Sequence, residues 1–219
     1  MTTLYTIGYA TKPFDEFCQQ LKQYNVTALV DVRSVPFSRR FKEYDQPNLQ
    51  RNLPAQSIYY IYMGDKLGPR SKDGRHYNSD GQIDFGKLQA SNLFLAGIDR
   101  LKNGISKGYG IALMCAEKDP ASCHRSLLIA NFLEANSKWE IQHILHDGAL
   151  ETQAELMKRL VDEHKLEQDM FSSAEDVRLQ AYQAQCCAVN YRRPKAGGEL
   201  EAVDTPKKSV TSNKECHKQ

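Results

Sequence analysis

The sequence predicts an α/β fold: an open, mainly parallel, Rossmann-like sheet with helices on both faces, followed by a C-terminal helical extension. Five short apolar runs of strand length, residues 4–9, 26–32, 58–63, 111–114 and 139–145, alternate with segments of helical periodicity. The first two runs and the helical pattern between them fit within about thirty residues, the signature of a βαβ unit in a parallel sheet. Polar residues able to do chemistry gather just after these runs, where open α/β sheets bind their ligands.

The first run, residues 4–9, ends near Gly8 and Tyr9. A helix is expected over 13–24, with Phe14, Phe17, Cys18 and Leu21 on one face, Thr11 as a cap and Pro13 in the first turn. The second strand leads into Asp31-Val32-Arg33 and then a basic and aromatic loop carrying Phe37, Ser38, Arg39, Arg40 and Phe41. A short helix over 48–53 stops at Pro54, and a third strand follows. Residues 64–84 are rich in glycine and read as a long loop able to close over a ligand, with His76 inside it. One helix is expected over 85–107, then the central strand, then an apolar helix over 126–136. The fifth strand alternates as an edge strand does. Helices are expected over 149–166 and 174–187. The domain reading is an α/β core over 1–150, a helical extension over 151–190 and a tail over 191–219 poor in large apolar residues, expected to be disordered.

Composition bounds the function. The formal charge of +2 excludes a polycation, so phosphate or nucleic-acid affinity has to come from local clusters. No apolar run approaches the ~20 residues of a membrane span. The first residues lack the basic start and apolar core of a signal peptide, which points to the cytoplasm. Six cysteines without a Cys-x-x-Cys pair fit free thiols, ligands or catalytic groups in a reducing compartment.

The densest chemistry lies between the central strand and its helix: Cys115, Glu117, Cys123, His124, Arg125 and Ser126. Asp119-Pro120 reads as a helix cap and first turn, and Ser122 is the alternative cap. A thiolate beside imidazole and guanidinium can attack an electrophile, and an arginine can hold an anion bidentately. The candidate catalytic residues are therefore Cys115, Cys123, His124, Asp31 and Glu117. The candidate ligand-binding residues are Arg33, Arg125, Ser126, Gly8, Tyr9, Ser38 and Arg39. The plain alternative makes both cysteines core residues, and pairs Arg33 with Asp31 and Arg125 with Asp31 or Glu117. A zinc set of Cys115, Cys123 and His124 with His143 or His146 is a further alternative, and so is a reversible Cys115–Cys123 disulfide. The seven residues between the cysteines are not the short knuckle of structural zinc sites, so no metal is assigned, and the sequence names no cofactor.

Taken in order, Thr6-Ile-Gly-Tyr9, Asp31-Val-Arg-Ser-Val-Pro-Phe-Ser-Arg39, Leu67-Gly68, Leu113-Met-Cys-Ala-Glu117, Cys123-His-Arg125 and His143-Ile144 resemble one bacterial family, domain of unknown function four hundred eighty-eight. The resemblance spans about residues 4–148 and implies an α/β domain with these residues as its hallmark; it supplies no reaction. A weaker likeness, to rhodanese and cysteine-phosphatase folds, would make Cys115 and Arg125-Ser126 a cysteine–arginine cradle. Here nine residues intervene instead of five. The function expected is an enzyme-like domain binding a phosphate-bearing ligand, a nucleotide or a nucleic-acid end, with thiol chemistry. The alternatives are a nucleic-acid-binding module and a zinc or redox-switch protein. The sequence does not speak to the oligomeric state.

Overall fold

The structure, a computed structural model, describes residues 2–194. Its order is β1 (Thr3–Gly8), α1 (Phe14–Gln23), β2 (Ala28–Asp31), α2 (Gln46–Asn52), β3 (Tyr59–Tyr62), α3 (Gly64–Leu67), α4 (Phe85–Gln89), α5 (Asn92–Ser106), β4 (Ile111–Cys115), α6 (Asn131–Asn136), β5 (Glu140–Ile144), β6 (Leu150–Thr152), α7 (Gln153–Glu163) and α8 (Ala174–Val189). The six strands make one sheet in the order β3-β2-β4-β1-β5-β6. All neighbours are parallel except β6, which runs antiparallel to β5.

Strand alternation divides the core in two. Ile7, Leu29, Ala112, Met114 and Ile144 face α1 and α2, meeting Phe17, Leu21, Leu49 and Leu53. Leu4, Val30, Leu113, Cys115 and Ile141 face the other layer, where α5, α6 and α7 supply Phe94, Ile98, Leu101, Leu133 and Leu156. The period of two places apolar side chains on both faces, so the inner strands β2 and β4 are buried throughout, as a helix-covered parallel sheet requires, while the outer β3 and β6 are partly exposed. The chain leaves β1 toward the α1 layer and leaves the neighbouring β4 toward the α6 layer. Their carboxyl ends therefore form the topological switch point, the usual place for a site in this architecture.

Several elements differ from expectation for local reasons. The helix expected over 85–107 is two, because Asp84 caps α4 by accepting from Lys87 N and Ser91 caps α5 by accepting from Phe94 N. The helix expected from 149 starts at Gln153, where Thr152 and Glu155 form a capping box; the residues before it pair as β6. That hairpin covers β5, which is thus not an edge. Thr11 does not cap α1: it turns the chain at φ +64°, and Pro13 precedes the helix. The 64–84 segment is internally tied, with Ser71 Oγ 2.7 Å from His76 Nδ1 and Tyr77 Oη donating to Ser71 O at 2.7 Å. Within the stretch expected to be disordered, residues 191–194 are described: Ile83 N donates to Tyr191 O and Arg193 N to Gly81 O. Residues 195–219 lie outside the described residues. Among the described residues no helix is long and apolar enough to cross a membrane.

Candidate functional site

Asp119 caps a single tight turn, Pro120–Ser122, by accepting from Ala121 N, and this turn replaces both expected helix starts. Cys123 is then extended and acts as the cap of the following helix. Its carbonyl accepts from Ser126 N and Leu127 N, and its sulfur accepts from Arg125 N at 3.4 Å. Residues 125–130 are wound as a π-helix before α6 begins, a wide turn of the kind that occurs at functional sites.

This winding brings four side chains to one point. Cys115 Sγ lies 2.7 Å from Glu117 Oε2, and Cys123 Sγ lies 3.0 Å from the same oxygen. His124 Nδ1 is 3.6 Å from Cys115 Sγ and 3.9 Å from Cys123 Sγ. All four donor atoms fall within 4.8 Å of one another. The cysteines are buried, 3% and 1% exposed. His124 is half-buried, and Glu117 reaches solvent while its carboxylate turns in toward the thiols. The other imidazole nitrogen, Nε2, lies 2.9 Å from the Val32 carbonyl. A carbonyl only accepts, so Nε2 carries a proton, and in its neutral form the ring presents its Nδ1 lone pair to the sulfurs.

Burial, reinforced by the neighbouring sulfur, pushes the Cys115 thiol well up. Burial also opposes ionisation of Cys123, yet the Cys115 hydrogen bond and the Arg125 charge bring that thiol well below its ordinary value. Burial raises Glu117 to about 7, with Cys123 adding to the effect. His124 is raised against its burial by contact with Cys123. These groups titrate as one system.

Arg125 is fully buried and serves this loop from within. It donates through Nη1 to Glu117 O at 2.7 Å, through Nη2 to Lys118 O at 3.4 Å and through Nε to Thr6 Oγ1 at 3.3 Å. Ser126 is buried as well and donates to Pro120 O and to Cys123 O. Gly8 is where the β1 and β4 loops touch: a Cβ there would stand 1.9 Å from Glu117 O. Tyr9 N and Ala10 N extend the pairing to Cys115 O and Ala116 O. The switch-point crevice is thus closed by backbone at this level, and a side chain at position 8 has no room.

The other predicted residues lie on the α1 side. Asp31 is fully buried and accepts from Arg33 N at 3.1 Å, Arg33 Nε at 2.9 Å, Arg33 Nη2 at 2.6 Å and Tyr60 Oη at 2.7 Å. Arg33 also donates to Tyr9 Oη and Tyr44 O. Its guanidinium lies 5.1 Å from the Tyr9 ring centre, and that ring stacks on Tyr44. Asp31, Arg33 and Tyr9 therefore form a satisfied network apart from the thiols, and the two candidate ligand-binding arginines, Arg33 and Arg125, are committed to separate acceptors. Ser38 shapes its loop by accepting from Arg40 N and Phe41 N, while Arg39 is exposed.

His143 lies in β5, which β1 separates from β4, and both its nitrogens are taken: Nδ1 by Thr6 Oγ1 and Nε2 by Gln153 Oε1, each at 2.8 Å. It has no lone pair left for a metal, and among the described residues neither it nor His146 belongs to the donor cluster. Two contributors lie outside the candidate site residues, although both stand within the quoted motifs. Thr6 links Arg125 to His143, and a threonine inside an apolar strand run was its signal. The Val32 carbonyl has no sequence signal, since every residue carries one. Lys12 is buried between Gln20 and Leu145 O, and burial lowers it to about 8.

No curated protein and no solved structure matches the chain. A family model described as Domain of unknown function DUF488 matches residues 13–132. The matched segment takes in Asp31-Val32-Arg33, Cys115, Glu117 and Cys123-His124-Arg125, and reaches the start of α6. It covers more than half of the sequence, and the chain belongs to the family Domain of unknown function DUF488.

Proposed function

We propose that this domain is a metal-dependent, enzyme-like protein whose centre holds one zinc-type divalent ion on Cys115, Cys123 and His124, with Glu117 at the exchangeable fourth position. The observation that carries the reading is the convergence of two sulfurs, one oxygen and one imidazole nitrogen within 4.8 Å, the nitrogen being the lone-pair side of a ring tied to a carbonyl. Metal-bound histidines are held in this way. Zinc bond lengths of about 2.3 Å to sulfur and about 2.0 Å to nitrogen or oxygen make tetrahedral edges of about 3.5 Å. The sulfur–imidazole separations of 3.6 and 3.9 Å are already close to that edge. The sulfur–carboxylate separations of 2.7 and 3.0 Å are shorter, so the carboxylate has to draw back by less than about 1 Å. Glu117 is the one member of the cluster whose residue reaches solvent, although its carboxylate is turned in toward the sulfurs. Two buried sulfurs, a half-buried imidazole and one carboxylate on a residue that reaches solvent match the layout of a catalytic site, where water or a substrate oxygen would take the place of the carboxylate.

The burial of both sulfurs favours ligation over direct nucleophilic attack. The inward commitment of Arg33 and Arg125 argues against their use as an outer anion clamp. The test is a Co²⁺ titration of the full chain purified free of metal. The reading expects one ion per chain, a sulfur-to-cobalt charge-transfer band in the near ultraviolet, tetrahedral visible bands, and displacement by Zn²⁺. Cys115→Ser and Cys123→Ser should each remove most of the charge-transfer intensity. A wild-type chain that gives no band while both thiols remain free by thiol counting would refute it.

A second reading, binding of a phosphate-bearing ligand or nucleic acid, has its own observation. Arg39 and Arg40 are exposed, and among the described residues neither makes an ion pair; Val35 and Phe37 beside them are 50% and 56% exposed. Such a lip can neutralise phosphates and stack bases. Replacing both arginines by alanine should then weaken binding of a single-stranded oligonucleotide and flatten its salt dependence.

A further inference from the structure

We infer that Asp31 and Arg33 are positioning residues for His124, acting through the peptide bond between Val32 and Arg33. The inference rests on the metal reading for its consequence but on separate contacts for its geometry. That peptide unit is planar, so the direction of its N–H sets the opposite direction of its C=O. The N–H of Arg33 donates to Asp31 Oδ1 at 3.1 Å. The C=O of Val32, across the same plane, receives His124 Nε2 at 2.9 Å. Val32 N is fixed independently by donating to Met114 O at 3.1 Å. The Val32 side chain is fully buried in the α5–α6 layer, whereas Asp31 and Arg33 turn to the α1 layer.

The carboxylate that grips the Arg33 N–H is itself locked. Arg33 closes a fork on it through Nε and Nη2, and Tyr60 donates from β3 at 2.7 Å. Arg33 is held in turn by Tyr44 O and Tyr9 Oη. All four contacts to Asp31 are donated into the carboxylate, so it has little left to offer as a general base. The Asp-x-Arg motif thus aims a carbonyl that selects one tautomer of His124 and points Nδ1 at Cys115 and Cys123. It is the outer support of the site, and supports of this kind are worth about 10–100-fold in metal affinity.

Two arms test the inference in the full chain. The first needs no metal: ¹⁵N–¹H spectra of the imidazole in alkaline buffer, where the ring is neutral. Wild type should show His124 as the Nε2–H tautomer. Asp31→Asn, which turns an amide donor toward the Arg33 fork, should give a mixture of tautomers. An unchanged tautomer would overturn the positioning role whatever the metal result.

The second arm is a double-mutant cycle on Co²⁺ affinity. Asp31→Asn should cost about 10–100-fold in the wild-type background and nearly nothing once His124→Ala is present. The sulfur charge-transfer band should persist throughout. An equal loss in both backgrounds would mean a general structural effect and would sink the proposal. Failure of the wild-type chain to bind Co²⁺ removes the metal reading alone, and the tautomer arm then decides the positioning by itself. If Asp31→Asn does not fold, Tyr60→Phe removes one of the four contacts at a half-buried position. It should shift the tautomer ratio in the same direction by less, and no shift would count against the proposal.

Discussion

His124, at the start of the helix that follows the β4 loop, and His143, inside β5 near its end, serve the same side of the sheet, and they are opposites. His143 is closed: Arg125 Nε donates to Thr6 Oγ1, the Thr6 hydroxyl donates to Nδ1, and Nε2–H donates to Gln153 Oε1. Both nitrogens are occupied, the ring is fully buried, and burial, with the Arg125 charge nearby, lowers it to about 4. His124 is half open: one nitrogen is anchored on the Val32 carbonyl and the other faces two sulfurs. A histidine with every valence satisfied is part of the scaffold, whereas one anchored at a single nitrogen has a lone pair to give.

The sharpest break in this comparison is to remove each ring. His143→Ala leaves a cavity and strips Thr6 and Gln153 of their partner. It should cost about 3–5 kcal/mol in denaturant unfolding of the metal-free chain, with Co²⁺ stoichiometry unchanged in what still folds. His124→Ala should cost about 1 kcal/mol or less by the same measurement, because one hydrogen bond at a half-buried position is lost. A large stability loss at 124 and a small one at 143 would reverse the assignment.

Acid separates the two by another route. The folded-state value of His143, about 4, lies below its unfolded value of about 6.5, so folding favours the neutral ring. Its contribution to stability is complete above about pH 6.5 and is lost as pH falls toward about 4, amounting to about 3 kcal/mol. Unfolding free energies measured across this window should show that decline. In His143→Gln the part due to this ring should be absent, and an identical slope in the variant would refute the attribution.

On the metal side the order is expected to invert. His124→Ala should weaken Co²⁺ binding about 100-fold, and His143→Ala by less than about threefold. The smallest effect belongs to the link between the two sites. Thr6→Val keeps the shape of the strand but removes the hydroxyl that joins Arg125 to His143. It should cost about 1–2 kcal/mol of stability and leave the cobalt spectrum in place. A changed spectrum would mean that the scaffold histidine and the thiol centre are coupled through Thr6.

Much of the fold was legible because its signals are local. Alternation, helical spacing and the position of Arg33, Cys115 and His146 just past strand patterns placed the elements and the end of the sheet that carries the site. The errors were local too. Ser91 and Thr152 are ordinary polar residues in sequence, and they become caps because the neighbouring N–H groups need an acceptor there. The gathering of Cys115, Glu117, Cys123 and His124 was legible as a list of residue types. Its geometry was not, because it depends on a tight turn, an extended Cys123 and a π-helical start whose hydrogen bonds compete with other windings of the same residues.

The sequence by itself determined the α/β class, the strand ends that carry the polar residues and the family. These follow from periodicity and from motifs read along the chain. Only the tertiary structure decided what the motifs are for. Arg33 and Arg125 face inward because their acceptors come from positions 6, 9, 31, 44, 117 and 118, which meet only when the strands are ordered. His124 is aimed at the thiols because a carbonyl 92 residues away in sequence holds its other nitrogen. Contacts over such separations are made by sheet order, and residue spacing alone does not specify them.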